Sequence, residues 1–158
     1  IYAFLYGAGD AKIGNIVGGT PKDGKRLKEK FLANTPSLGR LRERVGVASG
    51  RGYVYGLDGR RVYVRSAHAA LNTLLQSAGA IVMKKALCLL NEYAILWGID
   101  YKFVGNIHDE FQVEVREDQA GRFGSLAASC IEAAGIHFKL RCPLAGEFNV
   151  GDSWAETH

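Results

Sequence analysis

The chain has 158 residues, of which 47% are hydrophobic and 23% charged, a composition typical of one soluble globular domain with a real core. No uninterrupted apolar stretch approaches the roughly 20 residues of a membrane span, and the start lacks the charged flank and long apolar run of a signal peptide. We therefore expect no membrane partner. Because Ile1 stands where an initiator Met would, we expect the sequence to start inside a longer gene product.

The net charge of +4 is spread unevenly along the chain. Residues 1–65 hold 13 Lys and Arg against 5 Asp and Glu, a balance of +8, whereas residues 66–158 hold 7 against 11, a balance of −4. This pattern suits a polyanion that contacts the basic part while carboxylates in the acidic part bind metal. A solvated basic helix is the alternative explanation.

Three cysteines, Cys88, Cys130 and Cys142, lie far apart in the sequence and are odd in number. This spacing predicts reduced thiols in a cytoplasmic compartment and argues against a zinc site.

Short helices separated by glycine and proline breaks are predicted for the amino-terminal part. They are a helix over 1–17 interrupted at Gly7 and Gly9, a strongly basic helix over 22–33, a short helix over 38–47 and a glycine-rich loop over 46–52. Residues 53–57 and 61–65 then flank Asp58-Gly59, which is a strong signal for a β-hairpin.

Longer elements are predicted for the carboxy-terminal part. They are a long helix over 67–97 ended by Gly98, β-prone runs over 101–107 and 111–115, a helix over 118–134 ended by Gly135, and a last strand within 140–150. The fold class is therefore α+β. A helical, basic part with its hairpin (1–65) is followed by a part with the long helix, a second hairpin and the last strand (66–158).

The tripeptide His108-Asp109-Glu110 lies between the two β-prone runs of the second hairpin. Phe111, Val113 and Val115 alternate with polar residues, as in a half-buried strand. Two acids and a histidine are therefore placed at the tip of a hairpin. Adjacent carboxylates repel each other, and a nearby cation compensates for this repulsion. Oxygen ligands of this kind suit Mg²⁺. An exposed polar turn is the alternative, and it is the more common outcome for such a tripeptide alone.

Two further patterns have helical spacing. His68, Asn72 and Gln76 follow one another at intervals of four, so they form one polar stripe whose amides can donate to minor-groove acceptors. Tyr2 and Tyr6 are also four apart and can stack on a base or a nucleotide sugar. The alternatives are the polar face of an amphipathic helix for the first pattern and core packing for the second.

Together these segments resemble family A DNA polymerases, most closely the replicative polymerases of short-tailed bacteriophages. YAFLYGAGD at 2–10 resembles the end of the fingers-helix motif, and GLDGRR at 56–61 with HAALNTLLQSAG at 68–79 resembles the segment leading into the long palm helix. The run 104–112, centred on HDE, resembles the palm motif that supplies a catalytic aspartate. GDSWAETH at 151–158 resembles the family's carboxy terminus.

The resemblance implies template-directed DNA synthesis by two-metal nucleotidyl transfer, with Mg²⁺ as the cofactor and two ions in the complete site. Primer-template DNA, deoxynucleoside triphosphates and the missing amino-terminal polymerase portion are the implied partners, in the host cytoplasm for a phage-encoded enzyme. It also implies fingers for 1–65 and palm for 66–158.

The implied roles follow the matched motifs. Asp109 binds metal and is catalytic, and Glu110 assists it directly or through water. Tyr2 contacts the sugar of the incoming nucleotide, and Tyr6 stacks at the templating position. Asn72 and Gln76 contact the minor groove. His68 lies nearer the template strand, and His108 lies near the primer terminus.

Departures from the family pattern set limits on this expectation. The Arg and Lys of the fingers motif, the other palm aspartate, the thumb and the exonuclease have no counterpart in the 158 residues. We therefore expect part of a polymerase, inactive by itself. A non-catalytic nucleic-acid-binding remnant is the alternative, and a two-metal nuclease would need further acidic residues near Asp109.

Overall fold

A computed structural model describes residues 2–157, with the side chain of His68 outside the description. The chain divides into two compact units, the first ending at Ser77 and the second beginning at Ala78. The division lies inside a helix, whereas the division drawn from the sequence follows Arg65. The fingers and palm designations remain predictions.

The first unit consists of helices and one small hairpin. Its elements are α1 (Tyr2–Leu5), α2 (Asp10–Ile16), α3 (Pro21–Asn34), α4 (Pro36–Ser49), β1 (Tyr53–Tyr55), β2 (Arg61–Tyr63), a 3₁₀ turn (Ala67–Ala69) and the start of α5 (Ala70–Leu96). The antiparallel pairing of β1 and β2 confirms the hairpin predicted around Asp58-Gly59. Its core contains Val45, Val54 and Ala70.

Local sequence explains where α3 begins. Thr20 accepts a hydrogen bond from the Asp23 backbone N–H while the Asp23 carboxylate accepts one from the Thr20 backbone N–H, which is a capping box. Pro21 occupies the first helical position, where a missing N–H is harmless. At Gly24 a Cβ would collide with the Asp10 carbonyl oxygen, so α2 and α3 approach each other closely enough to require glycine there.

The second unit contains the rest of α5, a second hairpin and a long covering helix. Its further elements are β3 (Tyr101–Ile107), β4 (Glu110–Val115), α6 (Glu117–His137) and α7 (Trp154–Thr157). The antiparallel pairing of β3 and β4 confirms the second predicted hairpin. The core of this unit packs α5 against α6 and the hairpin through Leu90, Ala94, Ile99, Phe123, Leu126 and Cys130. Burial raises the pKa of the Cys130 thiol, which favours its protonated form.

Two sequence predictions are corrected. The loop predicted over 46–52 is largely helical, because α4 continues to Ser49. Val45 and Ser49 are both buried one turn apart, and the Ser49 hydroxyl donates to the Gly46 carbonyl at 2.6 Å, so packing holds the last turn despite its glycine.

The last strand predicted within 140–150 does not form in the described chain. This segment instead packs its side chains on α6. The ring of Phe148 lies where a Cβ on Gly124 would be, and Leu144 lies against Gly135. Gly135 is therefore a packing position for Leu144 and does not end the helix. For this reason α6 continues to His137, beyond its predicted end.

Ala70–Leu96 is 27 residues long, and within the described chain it is the one helix long and apolar enough to cross a membrane, by length and composition only. The core helix of a soluble protein satisfies the same test, and Ala86, Leu90 and Ala94 of this helix are completely buried. Lys84 and Lys85 interrupt it, which is why counting uninterrupted apolar residues does not find it. A single such helix is weak evidence for a membrane span.

Candidate active site

The β3–β4 turn consists of two residues, His108 and Asp109, because Ile107 and Glu110 form the last pair of the ladder. His108 has φ 56°, in the left-handed region that few residues other than glycine adopt. Such a conformation costs about 1–2 kcal/mol and persists where the surrounding structure imposes it. The hairpin therefore places a charged residue at its tip with a strained backbone beside it.

The two adjacent carboxylates of this turn lie in different surroundings. Asp109 is exposed, and among the described residues no hydrogen bond or ion pair engages its carboxylate. Glu110 is half-buried, and its Oε1 accepts hydrogen bonds from Gln112 Nε2 and, at 3.2 Å, from Trp154 Nε1. Asp109 thus has a carboxylate available to a ligand, whereas Glu110 is already held by the protein.

A groove of about 880 Å³ lies beside this turn, within the second unit. The hairpin, α6 and the segment 147–154 line it, and both carboxylates reach it together with Gln112, Phe148 and Trp154. This volume lies in the range of small-molecule sites, which are mostly apolar with a few placed polar groups.

In the first unit, α1 has one packed side and one open side. The Phe4 ring meets the Phe31 ring at 5.0 Å between centroids, and the Arg42 guanidinium lies 5.6 Å from the centroid of Phe4. Tyr2 and Tyr6 are 80% and 57% exposed. The tyrosines therefore do not form the core packing that was the alternative for them.

The polar stripe at the start of α5 is also open in part. Asn72 is half-buried and Gln76 is exposed, one turn apart on the same face of the helix. Leu71, the neighbour of Asn72, lines a small pocket of about 20 Å³ together with residues of α1 and the turn after it. His68 is the third residue predicted for this stripe, and its side chain lies outside the described part of the chain.

A family profile described as DNA polymerase family A matches residues 1–156. The chain belongs to DNA polymerase family A. A DNA-directed DNA polymerase of Enterobacteria phage T3 is 42% identical over 180 residues, and one of Escherichia phage T7 is 41% identical over 180 residues. Each comparison covers 100% of this chain and 26% of the relative, so the chain spans about a quarter of the length of these curated relatives.

The fold has a similar counterpart among solved structures. The POL domain of Pol1 from M. smegmatis, in complex with DNA primer-template and dNTP, matches with a TM-score of 0.76 and 20% sequence identity. The match covers 84% of this chain and 26% of that chain. The resemblance to family A and the α+β fold class are thereby confirmed, whereas the roles of individual residues in this polymerase family member remain predictions.

The donor set at the turn fits part of a magnesium site. Mg²⁺ in nucleotide-handling sites is commonly held by one or two carboxylates, with substrate phosphates and water completing the octahedron. Asp109 and Glu110 supply two adjacent carboxylates. Within residues 2–157, no group of three or more His, Cys, Asp or Glu side chains is suitably placed to hold a metal ion. The turn therefore suits a shared site in which other groups supply the remaining ligands.

The basic helix α3 has several of its charges paired within the chain. Lys28 Nζ lies 2.9 Å from Asp10 Oδ1, and Arg26 and Lys25 reach acidic side chains of α3 itself at 3.1 and 4.0 Å. The Lys28 side chain is only 18% exposed. This part of the basic surface is thus partly used to hold α2 and α3 together.

A second basic surface, on the β1–β2 hairpin, was not foreseen from the sequence. The Arg51 guanidinium lies 5.0 Å and 5.2 Å from the ring centroids of Tyr53 and Tyr55, and Arg61 lies 4.9 Å from Tyr53. A hydrogen bond with Tyr53, together with the charges of Arg61 and Arg51, lowers the pKa of Tyr55. The available signal was alternation for the two tyrosines, since residues 53 and 55 share one side of β1, whereas Arg51 lies in the turn before it.

Proposed function

We propose that this chain is the carboxy-terminal portion of a DNA-directed DNA polymerase and supplies part of its catalytic site. One observation carries the proposal: in a member of family A, an exposed carboxylate without a protein partner in the described chain, Asp109, occupies the tip of a strained hairpin turn. A two-residue hairpin turn ordinarily obtains its positive φ from Gly, Asn or Asp. Here His108 adopts it, and such strain in non-glycine residues is concentrated at ligand-binding sites.

The reaction proposed is template-directed extension of a primer. The primer 3′ oxygen attacks the α-phosphorus of a deoxynucleoside triphosphate, the bond to the bridging oxygen breaks, and pyrophosphate leaves in line. Bound Mg²⁺, two ions in the complete site, supplies positive charge at the attacking and leaving oxygens. Asp109 holds metal in this scheme, and Glu110 supports it directly or through water.

Other side chains of this chain position the substrates in the proposal. Tyr2 contacts the sugar of the incoming nucleotide and Tyr6 stacks at the templating position, which their exposure permits. Asn72 and Gln76 donate to minor-groove acceptors at the newest base pair, where all four pairs offer an acceptor. In this scheme His68 lies nearer the template strand and His108 near the primer terminus.

Primer-template DNA and deoxynucleoside triphosphates are the proposed partners, and the host cytoplasm is the proposed location. The similar POL domain of M. smegmatis is described in complex with both of these ligands. The chain spans about a quarter of its phage relatives, so we infer that an amino-terminal polymerase portion supplies the remaining groups.

The experiment is a chimera in which this chain replaces the matching carboxy-terminal 26% of the Escherichia phage T7 relative. We expect the chimera to extend a primer in a template-dependent manner, and the 158-residue chain alone to give no extension. Extension by the isolated chain would contradict the division of the site proposed here. A folded chimera that binds primer-template but does not extend it would favour the nucleic-acid-binding alternative.

Gln76 offers a separate test of substrate positioning. Gln76→Ala in the chimera should lower extension efficiency for all four terminal base pairs by a similar factor, because one hydrogen bond worth about 0.5–1.5 kcal/mol is lost each time. Glu92→Ala, at another exposed position of the same helix, is the matched control and should leave extension unchanged. A defect restricted to one base pair would argue against a minor-groove contact shared by all pairs.

A further inference from the structure

The carboxy-terminal helix α7 reaches the catalytic hairpin through two side chains. Trp154 Nε1 donates to Glu110 Oε1 at 3.2 Å, and Thr157 Oγ1 donates to Gln112 Oε1 at 3.3 Å. Gln112 Nε2 in turn donates to Glu110 Oε1. These bonds form one chain of hydrogen bonds that joins segments 44 and 45 residues apart and ends on a carboxylate.

Hydrogen-bonding capacity sets the direction of the bonds on Glu110. The amide of Gln112 donates through its nitrogen to Glu110, which leaves its oxygen to accept from Thr157. The single proton of the Thr157 hydroxyl is shared with the Trp154 carbonyl, which lies 3.2 Å from Oγ1. The indole of Trp154 can only donate, and an ionised carboxylate can only accept. Two donors therefore converge on the same Glu110 oxygen, which restricts the rotation of that carboxylate.

The segment that carries Trp154 is itself held in place by short-range bonds. The Asp152 backbone N–H donates to Glu156 Oε2 at 2.7 Å, and the Asn149 side chain donates to the Thr157 carbonyl at 3.4 Å. Trp154 is nevertheless 52% exposed, so half of its ring contributes no burial to the core. Its polar N–H contact, rather than its apolar area, is the feature that distinguishes this position.

We propose that Trp154 is a positioning residue that fixes the orientation of Glu110, with Thr157 acting on the same carboxylate through Gln112; the inference rests on the proposed polymerase function. The carboxy-terminal helix thereby sets how the second carboxylate of the turn presents itself to metal beside Asp109. Groups that hydrogen-bond to metal-binding side chains typically change metal affinity or activity 10–100-fold when removed.

The test is Trp154→Phe in the T7 chimera, which keeps an aromatic ring and removes the N–H donor. We expect the Mg²⁺ concentration for half-maximal extension to rise by roughly tenfold, with a melting temperature close to that of the parent. Trp97→Phe is the matched control because the Trp97 ring instead contacts the Arg122 guanidinium, 4.9 Å from its centroid. This control should leave the Mg²⁺ requirement unchanged.

A double-mutant cycle separates positioning from general packing. If Trp154 acts through Glu110, then Trp154→Phe should have little further effect on the Mg²⁺ requirement once Glu110→Gln is present. Additive effects of the two substitutions would overturn the proposal. If Trp154→Phe does not fold, Thr157→Val removes the outer donor of the same network and should give a smaller shift in the same direction; no shift would overturn it.

A spectroscopic readout makes the inference independent of turnover. The 158-residue chain has two tryptophans, so in its ¹⁵N-labelled Trp97→Phe form the remaining indole N–H resonance belongs to Trp154. This resonance should move when Glu110 becomes Gln. An unmoved resonance would overturn the contact even in an active chimera. A moved resonance in an inactive parent chimera would support the contact while the proposed polymerase function fails, so the two failures are distinguishable.

Discussion

The two β-hairpins of this chain carry an aspartate at their turns and use it in opposite ways. In the β1–β2 turn, Asp58 Oδ2 lies 2.6 Å from Arg60 Nε and Oδ1 accepts from the Arg60 backbone N–H at 3.2 Å. Gly59 supplies the positive φ of 81° that this turn needs. In the β3–β4 turn His108 takes the positive φ, and the described residues leave Asp109 without a hydrogen bond or ion pair.

The two turns differ in how their shape is stabilised. The first turn is stabilised locally, because the Asp58 carboxylate accepts hydrogen bonds from the backbone N–H and the side chain of Arg60. The second turn has neither this bond nor a glycine, so its shape must be imposed by the strands. Tyr101, Phe111, Val113 and Val115 pack against the core of their unit and provide that support. The carboxylate at its tip is thereby left for a ligand.

The largest expected effect is the loss of primer extension when the Asp109 carboxylate is made neutral. Asp109→Asn in the T7 chimera should lower single-turnover extension at least about 10³-fold, since a neutral amide is a much poorer Mg²⁺ ligand and each factor of ten corresponds to about 1.4 kcal/mol. Asp58→Asn is the matched control, with the same chemical change at the other hairpin, and should extend at near the parent rate. Primer-template affinity should change little in either variant, because phosphate contacts supply most of it.

Equal extension rates for Asp109→Asn and Asp58→Asn would contradict the proposed difference in function between the two turns. A folded Asp109→Asn chimera that binds DNA and extends at the parent rate would make Asp109 an ordinary turn residue. Circular dichroism and DNA binding on the same preparation distinguish this result from simple misfolding.

The second expected effect concerns backbone strain and stability. A β-branched side chain tolerates positive φ poorly, so His108→Val and Gly59→Val should each lower the free energy of unfolding by about 1–3 kcal/mol. His108→Gly should stay within about 1 kcal/mol of the parent, because the relief of strain offsets the greater freedom of the unfolded chain. Urea denaturation of the 158-residue chain measures all three. A His108→Val chain as stable as the parent would contradict a left-handed His108.

Much of this difference between the turns was within reach of the sequence. The alternation around Val113 and the Asp58-Gly59 signal predicted both hairpins, because side-chain period and turn chemistry are local properties. The positive φ of His108 was not predictable in this way, since the two-residue connection is imposed by the register of the strands and not by a preference of histidine.

Contacts between distant segments account for what the sequence did not predict. The segment 140–150 contains strand-forming residues, yet Phe148 and Leu144 pack on the glycines of α6 instead. The bond between Trp154 and Glu110 spans 44 residues and leaves no local signature. Asp109 was predicted because the residues around it resemble a family motif, and its role stays a prediction, whereas the hydrogen bonds from Trp154 and Gln112 to Glu110 have no such motif.

The smallest expected effect is the pH dependence of the Asp58 turn. Hydrogen bonds from the Arg60 side chain and then its backbone N–H, together with its charge, hold the pKa of Asp58 below its usual value of 3.8. A carboxyl whose pKa is lowered on folding contributes stability above its unfolded pKa, and this contribution is lost as the pH falls through the folded pKa. Asp58→Asn should therefore be slightly less stable than the parent at pH 7, and the difference should shrink steadily as the pH falls below 3.8. Because the pair is at the surface, 1 M salt should also reduce the difference at pH 7.

Urea denaturation at pH 7 and pH 2, with and without salt, measures both trends. A stability difference that is the same at both pH values would show that Asp58 acts through the shape of its side chain and not through its charge, and the contrast between the two turns would then rest on Asp109 and on the backbone of His108.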